Sequence, residues 1–460
     1  MAFTSINDGK LYFNTELYTG NGSTNAQTGV GFQPDWLWIK CRSDANGSNI
    51  FDALRSTNSL HSDTTGAEAD RASDGFTSLD NDGFTLNGSG SGGSINVNSR
   101  TYASWNWLAA GTAPSNTYAV KVVSDSGNKY RFDDFGTSAV TLEISEGGTF
   151  TFDQSDSSNN GHPLRFATQA DGANSSQYTT GVTTNGTPGQ AGAYTRITVA
   201  ASAPTLFYYC TSHSGMGGQA NTPVTNSFSN FAGTIQSNIS PNTTSGFSIV
   251  KYTGTGANAT VGHGLGVAPS MIIVKKYNVT GSWGVYHNSL GNGYFLYLNS
   301  TNASASNSTL WNNTSPTSSV FNLGSSAISN SSSNSHIAYC FAEKQGYSKF
   351  GSYTGNGNAD GTFVYTGFKP AFVMSKRTDA TDGWRMMDAT RSSFNVAQNR
   401  LLANASDAEV VASSQDKDFL SNGFKMRTSD SGYNASATYI YMCFAENPFT
   451  SSTGTPVTAR

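Results

Sequence analysis

Apolar and polar residues alternate along this chain in short runs, and glycine, asparagine or serine interrupts them every few residues. A period of two broken by turn formers predicts β-strands joined by tight turns. Glu143-Ile144-Ser145-Glu146 alternates, Gly147-Gly148 turns, and Thr149-Phe150-Thr151-Phe152 alternates again. Residues 102–107, 203–209, 337–341 and 439–444 read as more continuously apolar strands.

The pattern recurs in register. Tyr18-Thr19-Gly20, Tyr252-Thr253-Gly254 and Tyr353-Thr354-Gly355 each open a segment. In the strand that follows, a proline stands two residues after the first large apolar residue and a lysine six further on: Phe32, Pro34, Lys40; Val267, Pro269, Lys275; Phe368, Pro370, Lys376. Cys340 and Cys443 share one place in the closing strands, where the first copy has Asn106, so they and Cys41 read as packing residues. Asp52 with Arg55 and Asp388 with Arg391 read as structural ion pairs, because the second copy has His287 and Leu290 instead.

The expected fold is all-β: tandem antiparallel β-sandwich repeats with one inserted module. Expected boundaries are 1–112 for the first repeat, 113–222 for the insertion, 223–346 for a linker and the second repeat, and 347–460 for the third. Residues 111–116 and 219–245 have loop composition and read as linkers.

Composition agrees, with 49 Gly, 27 Phe and 21 Tyr against only 12% charged residues. A net charge of −4 carries no electrostatic footprint for nucleic acid or an anionic membrane. Residues 1–10 have neither the basic nor the apolar region of a secretion signal, and no run is long enough for a spanning helix. Four cysteines make no disulfide framework. The repeats show no nucleophile–base constellation and no phosphate loop, so no enzyme activity is expected. His61, His263 and His336 have no second ligand at metal spacing.

One loop has chemistry. In Tyr209-Cys210-Thr211-Ser212-His213-Ser214-Gly215-Met216 a soft thiolate, an imidazole and a thioether follow an apolar strand, a donor set that suits copper once a second histidine completes the plane. The Cys-x-x-His-x-x-Met spacing resembles the ligand loop of amicyanin-like cupredoxins, and Asn160-Gly161-His162-Pro163 is similar to the segment that carries their upstream histidine. That resemblance, over residues 117–222, implies that the inserted module is a Greek-key β-sandwich with a type 1 copper site, His162, Cys210 and His213 being equatorial ligands and Met216 axial. Against the family pattern one outer-shell hydrogen bond is expected to be absent, since Pro163 has no N–H to offer the thiolate.

The repeats resemble domains found in tandem in virion appendage proteins of marine bacteriophages, cyanophages above all. The residues that carry this include Tyr347-Ser348-Lys349-Phe350-Gly351-Ser352-Tyr353 and Cys443-Phe444-Ala445-Glu446-Asn447-Pro448-Phe449. The resemblance implies a structural protein on the exterior of a phage particle, a tail fibre or appendage used in host attachment. Its implied partners are other virion proteins and host-surface glycans, and its implied state is a homo-oligomer, a trimer for a fibre. The alternatives are a capsid decoration protein and a copper-binding electron-transfer protein.

Overall fold

The long strands of each repeat pair in the same order. In the first, the opening strand Phe13–Thr19 lies beside the closing strand Thr101–Trp107, which is followed by Trp36–Cys41 and Asn49–Asp52. The second repeats this with Phe247–Thr253, Ser335–Phe341, Met271–Lys276 and Trp283–His287, and the third with Ser348–Thr354, Thr438–Pro448, Phe368–Arg377 and Arg385–Asp388. The protein is thus all-β and repetitive. This computed structural model describes residues 4–88, 94–172 and 176–457, and the only helical pieces among them are short 3₁₀ turns.

Each main sheet is buried on both faces, as the fully buried strand Trp36–Cys41 shows. The outer face packs on a smaller sheet of the same repeat, such as Asn25–Thr28, Gly83–Leu86 and Phe76–Asp80 in the first. The inner faces of all three repeats meet in one core. There Trp36 lies 4.7 Å from Tyr339 between ring centroids, Trp107 lies 5.8 Å from Phe372, and Phe341 lies 6.0 Å from Phe444. Separate cores exist on the outer faces of the first and second repeats, while in the third the outer-face residues Val364, Phe424 and Met426 belong to the shared core. The tryptophans and phenylalanines that decide this are equally suited to a private core, so alternation alone did not distinguish the two.

Backbone hydrogen bonds close the three repeats into a ring. Glu68 N donates to Tyr277 O at 2.8 Å, Ser304 N to Thr378 O at 2.8 Å, and Glu409 N to Arg42 O at 2.9 Å, running first to second, second to third and third to first. Each acceptor stands two residues beyond a register lysine. Those lysines, fully buried, reach the other way: Lys275 Nζ donates to Thr65 O at 3.3 Å, Lys376 Nζ to Thr301 O at 3.3 Å and Lys40 Nζ to Ala405 O at 2.7 Å. Burial lowers all three to about 8. They remain ammonium groups at neutral pH, which matches their carbonyl surroundings because only an ammonium offers three donors.

The ion pairs belong to the same joints. Asp52 accepts from Arg55 Nε at 2.7 Å and from Tyr339 OH of the second repeat at 2.7 Å. Asp388 accepts from Arg391 Nε at 2.5 Å and from Trp105 Nε1 of the first repeat at 3.0 Å. His287, their counterpart in the second repeat, bonds through Nε2 to Tyr441 O of the third at 3.1 Å. The tyrosine that opens each copy stacks on the closing strand, Tyr18 on Tyr102, Tyr252 on His336 and Tyr353 on Tyr439, at 4.9, 5.1 and 4.9 Å. Beside each stack a buried asparagine, Asn96, Asn330 or Asn434, gathers loop carbonyls through its Nδ2.

The linker expected at 219–245 is instead structured. Ser237–Asn242 and Phe228–Asn230 extend the second repeat's main sheet, with Ser227, Ser229 and Ile239 fully buried. Small polar residues have the composition of a loop, in which water satisfies their hydroxyls. Here Ser237 Oγ donates to Gly262 O at 2.9 Å and Ser240 Oγ to Asn226 O at 3.0 Å, which satisfies them inside the fold. The second expected linker, 111–116, runs directly into the strand Ser115–Ser124.

Replacing Lys275 by Met should leave Thr65 O, Lys276 O and Gly281 O without their shared donor. A loss of about 3 kcal/mol is expected, and denaturant unfolding that matched the parent protein would refute this role. A second test uses Asp35, which accepts from Ala109 N at 2.8 Å at the exit from the first repeat. Burial raises its carboxyl from 3.8 to about 7 against the opposing backbone N–H bonds. The folded state then holds a proton that the unfolded state has released, so this group's contribution is complete below pH ~4 and falls by up to about 1.4 kcal/mol per pH unit toward pH ~7. In melting curves from pH 4 to 8, Asp35→Asn should gain on the parent as pH rises; a constant offset would contradict the assignment.

Candidate metal centre

Two five-stranded sheets form the inserted module. One runs Asn128–Phe132, Ser115–Ser124, Thr149–Asp153, Tyr194–Thr198, Val182–Asn185; the other runs Leu142–Glu143, Gly218–Asn221, Leu206–Cys210, Leu164–Ala167, Gln177–Tyr178. Tyr118, Phe132, Phe150, Phe152, Phe166 and Tyr208 fill the space between them. The core extends past the expected boundary at 222, because Phe231 is buried in it. The module does not stand apart: Tyr118 OH donates to Ser229 O at 2.9 Å, and Glu143 N donates to Ser229 Oγ at 2.9 Å.

The site lies where two of these strands end. Leu164 pairs with Cys210, which sets the thiol beside the segment just before Leu164. His162 leaves a 3₁₀ turn, Ser157–Asn159, and its N–H donates to Asn159 O at 2.8 Å. After Cys210 the chain reverses so tightly that a Cβ on Gly217 would collide with Tyr208 O, and Gly218 then pairs with Tyr208. The reversal carries His213 and Met216 back toward the strand end.

Cys210 Sγ lies 3.8 Å from His162 Nδ1 and 3.7 Å from His213 Nδ1, and the two imidazole centroids are 4.5 Å apart. A single ion bonded to nitrogen and sulfur at about 2.0–2.3 Å holds such donors about 3.6–3.8 Å apart. The three side chains therefore fit one metal ion, and they form the one such His/Cys/carboxylate group among the described residues. Cys210 is buried, His162 half-buried and His213 exposed. Met216, the expected axial ligand, is buried in the module's core with Cys210. Burial, reinforced by the neighbouring His213, lowers the His162 imidazole below its usual 6.5, which favours the neutral form a metal requires.

Residues that the motif did not reveal hold these loops. Tyr130 N donates to Met216 O at 2.9 Å and Tyr130 OH to His162 O at 2.9 Å, so one residue ties both ligand segments together. Gln154 Nε2 donates to the same carbonyl at 2.9 Å, and its Oε1 accepts from Leu164 N at 3.1 Å. Asp171 accepts from Gly215 N at 2.8 Å, and Lys129 Nζ donates to Gly215 O. Pro163, which has no N–H, still contributes through its carbonyl, which accepts from Thr211 N at 3.2 Å.

Fold and site together define an all-β repeat protein with a His/Cys/His centre in an inserted sandwich. Residues 8–133 and 219–448 match the family described as Domain of unknown function (DUF7483). This is more than half of the chain, and the chain belongs to that family. The unmatched stretch between the two segments contains His162, Cys210, His213 and Met216. No curated protein and no solved structure matches the chain.

Addition of Cu(II) to the purified protein should produce an intense visible thiolate-to-copper band. Cys210→Ser should abolish it, and His61→Ala should leave it intact. Tyr130→Phe should keep the band but shift its position and weaken copper retention by about 10-fold, the usual scale for an outer-shell contact. Stoichiometric copper without the band would refute a type 1 centre.

Proposed function

We propose that this protein is a structural component of a bacteriophage virion, an exterior appendage or fibre protein of host attachment that carries a copper-binding module. The observation that supports the structural role most is how the repeats use their chemistry. Asp52, His287 and Asp388, with Lys40, Lys275 and Lys376, are spent on the joints between repeats. Residues held in that way are scaffold rather than catalyst. The resemblance of the repeats to phage appendage domains supplies the setting, with other virion proteins and host glycans as partners and a homotrimer as the assembly.

For the module, the donor distances support copper, with His162, Cys210 and His213 as the plane and Met216 as the axial ligand. Copper there would supply one-electron chemistry, and the chain's part is to hold a thiolate and two imidazoles in fixed orientation. The exposed imidazole of His213 favours electron transfer as a second reading, since it would give a redox partner a short route to the centre.

Antibody raised against the third repeat should label the outside of intact particles at the tail and block adsorption to the host. Even labelling of the head with normal adsorption would transfer the role to a capsid decoration protein. Complete absence from particles would remove both.

A further inference from the structure

The third repeat exposes aromatic side chains at places where the other two repeats have none. Its small sheet ends in the strand Phe363–Tyr365, in which Val364 is buried while Phe363 and Tyr365 are 44% and 61% exposed. The opening tyrosines identify the matching strands, because Tyr18, Tyr252 and Tyr353 each meet a phenylalanine of the small sheet edge-on: Phe84, Phe321 and Phe424. Opposite those phenylalanines lie Gln27, Val261 and Val364. Phe363 therefore stands where the other repeats have Ala26 and Thr260, and Tyr365 where they have Thr28 and Gly262. Two repeats build this strand without an aromatic residue at either place, so the rings are not required by the fold, and exposed apolar surface of that kind marks a contact site.

Tyr365 lines a cleft of about 200 Å³ together with Phe449, Gln345, Glu343 and Lys349. Phe449 is 36% exposed, and its N–H donates to Gly367 O at 3.2 Å, which holds it beside the turn that follows Tyr365. Pockets for drug-sized ligands start at about 300 Å³, so this one admits a single ring and is too short for an extended peptide. Its two charges satisfy each other, with Lys349 Nζ donating to Glu343 Oε1 at 2.7 Å. Gln345 is exposed, so its amide is open to donate and to accept. An ionic ligand would have to break the Lys349–Glu343 pair to find a counter-charge, and a wholly apolar one would take water from that pair and from the amide without replacing it. A neutral ring with an apolar C–H face and hydroxyls around its edge meets both the exposed aromatic faces and the polar groups.

We propose that this cleft binds the terminal sugar ring of a neutral glycan, with Tyr365 and Phe449 against its C–H face and the Gln345 amide bonding its hydroxyls. The site rests on the reading that the chain works in host attachment at a particle surface, and it locates the glycan contact on the third repeat. Weak single-site binding is sufficient there, because many copies on one particle multiply it.

The test uses full-length protein on an array of neutral and acidic oligosaccharides, with a proline-rich peptide included, and the best neutral hit is measured in solution by saturation-transfer NMR. Tyr365→Thr installs the residue that the first repeat has at this place, and Gln345→Ala removes the amide. Each should weaken binding about 10-fold while the melting temperature stays near the parent's. Phe394→Ala removes a ring that is 78% exposed but lies outside the cleft, and it should leave binding intact. Binding to no neutral sugar, binding to acidic sugars alone, or a preference for the peptide would overturn the proposal. So would neutral binding that Tyr365→Thr leaves unchanged or that Phe394→Ala weakens equally. Particle labelling is independent of these variants, so a failure here leaves the virion reading to its own test.

Discussion

A sheet that is apolar on both faces must be covered twice, and the whole architecture follows from that demand. Each main sheet has one cover from its own smaller sheet, and the second comes only from the other two repeats. The charged groups that enter with the inner faces have no water to turn to, so they need partners across a joint. Lys40, Lys275 and Lys376 meet this need with carbonyls of a neighbouring repeat, and Asp52 and Asp388 meet it with Tyr339 and Trp105. Apolar cover and polar satisfaction thus depend on the same three-way closure.

Much of this could be read from residue order. The register of Pro34, Pro269 and Pro370 with the three lysines identified three copies, and all six side chains are buried. Cys41, Cys340 and Cys443 are buried and unpaired, as strand packing residues should be. What residue order concealed was partnership. A lysine six residues beyond a proline is visible; that its ammonium finds Thr65 O rather than solvent depends on contacts more than two hundred residues away. Asn96, Asn330 and Asn434 were within reach, since each stands five or six residues before Tyr102, His336 or Tyr439. Asparagine is so common here that its recurrence carried little contrast.

The metal centre divides in the same manner. Local spacing was enough to nominate Cys210 and His213, and the structure brings His162 to them across the pairing of Leu164 with Cys210. Tyr130 carries no signal of its role, because in Asn128–Phe132 it alternates as any core residue would. Its two hydrogen bonds depend on loops that lie thirty and eighty residues further along.

The insertion also changes what the ring can be asked to do. The opening strands Phe13–Thr19 and Ser348–Thr354 end their sheets, whereas Phe247–Thr253 is flanked by Ser237–Asn242 and the chain leading from the module. Three flanks that would otherwise be interchangeable are thereby made unequal. A body of three like parts can seat on a support in three equivalent ways, but one with a marked flank has a single orientation. The module therefore gives the ring an address.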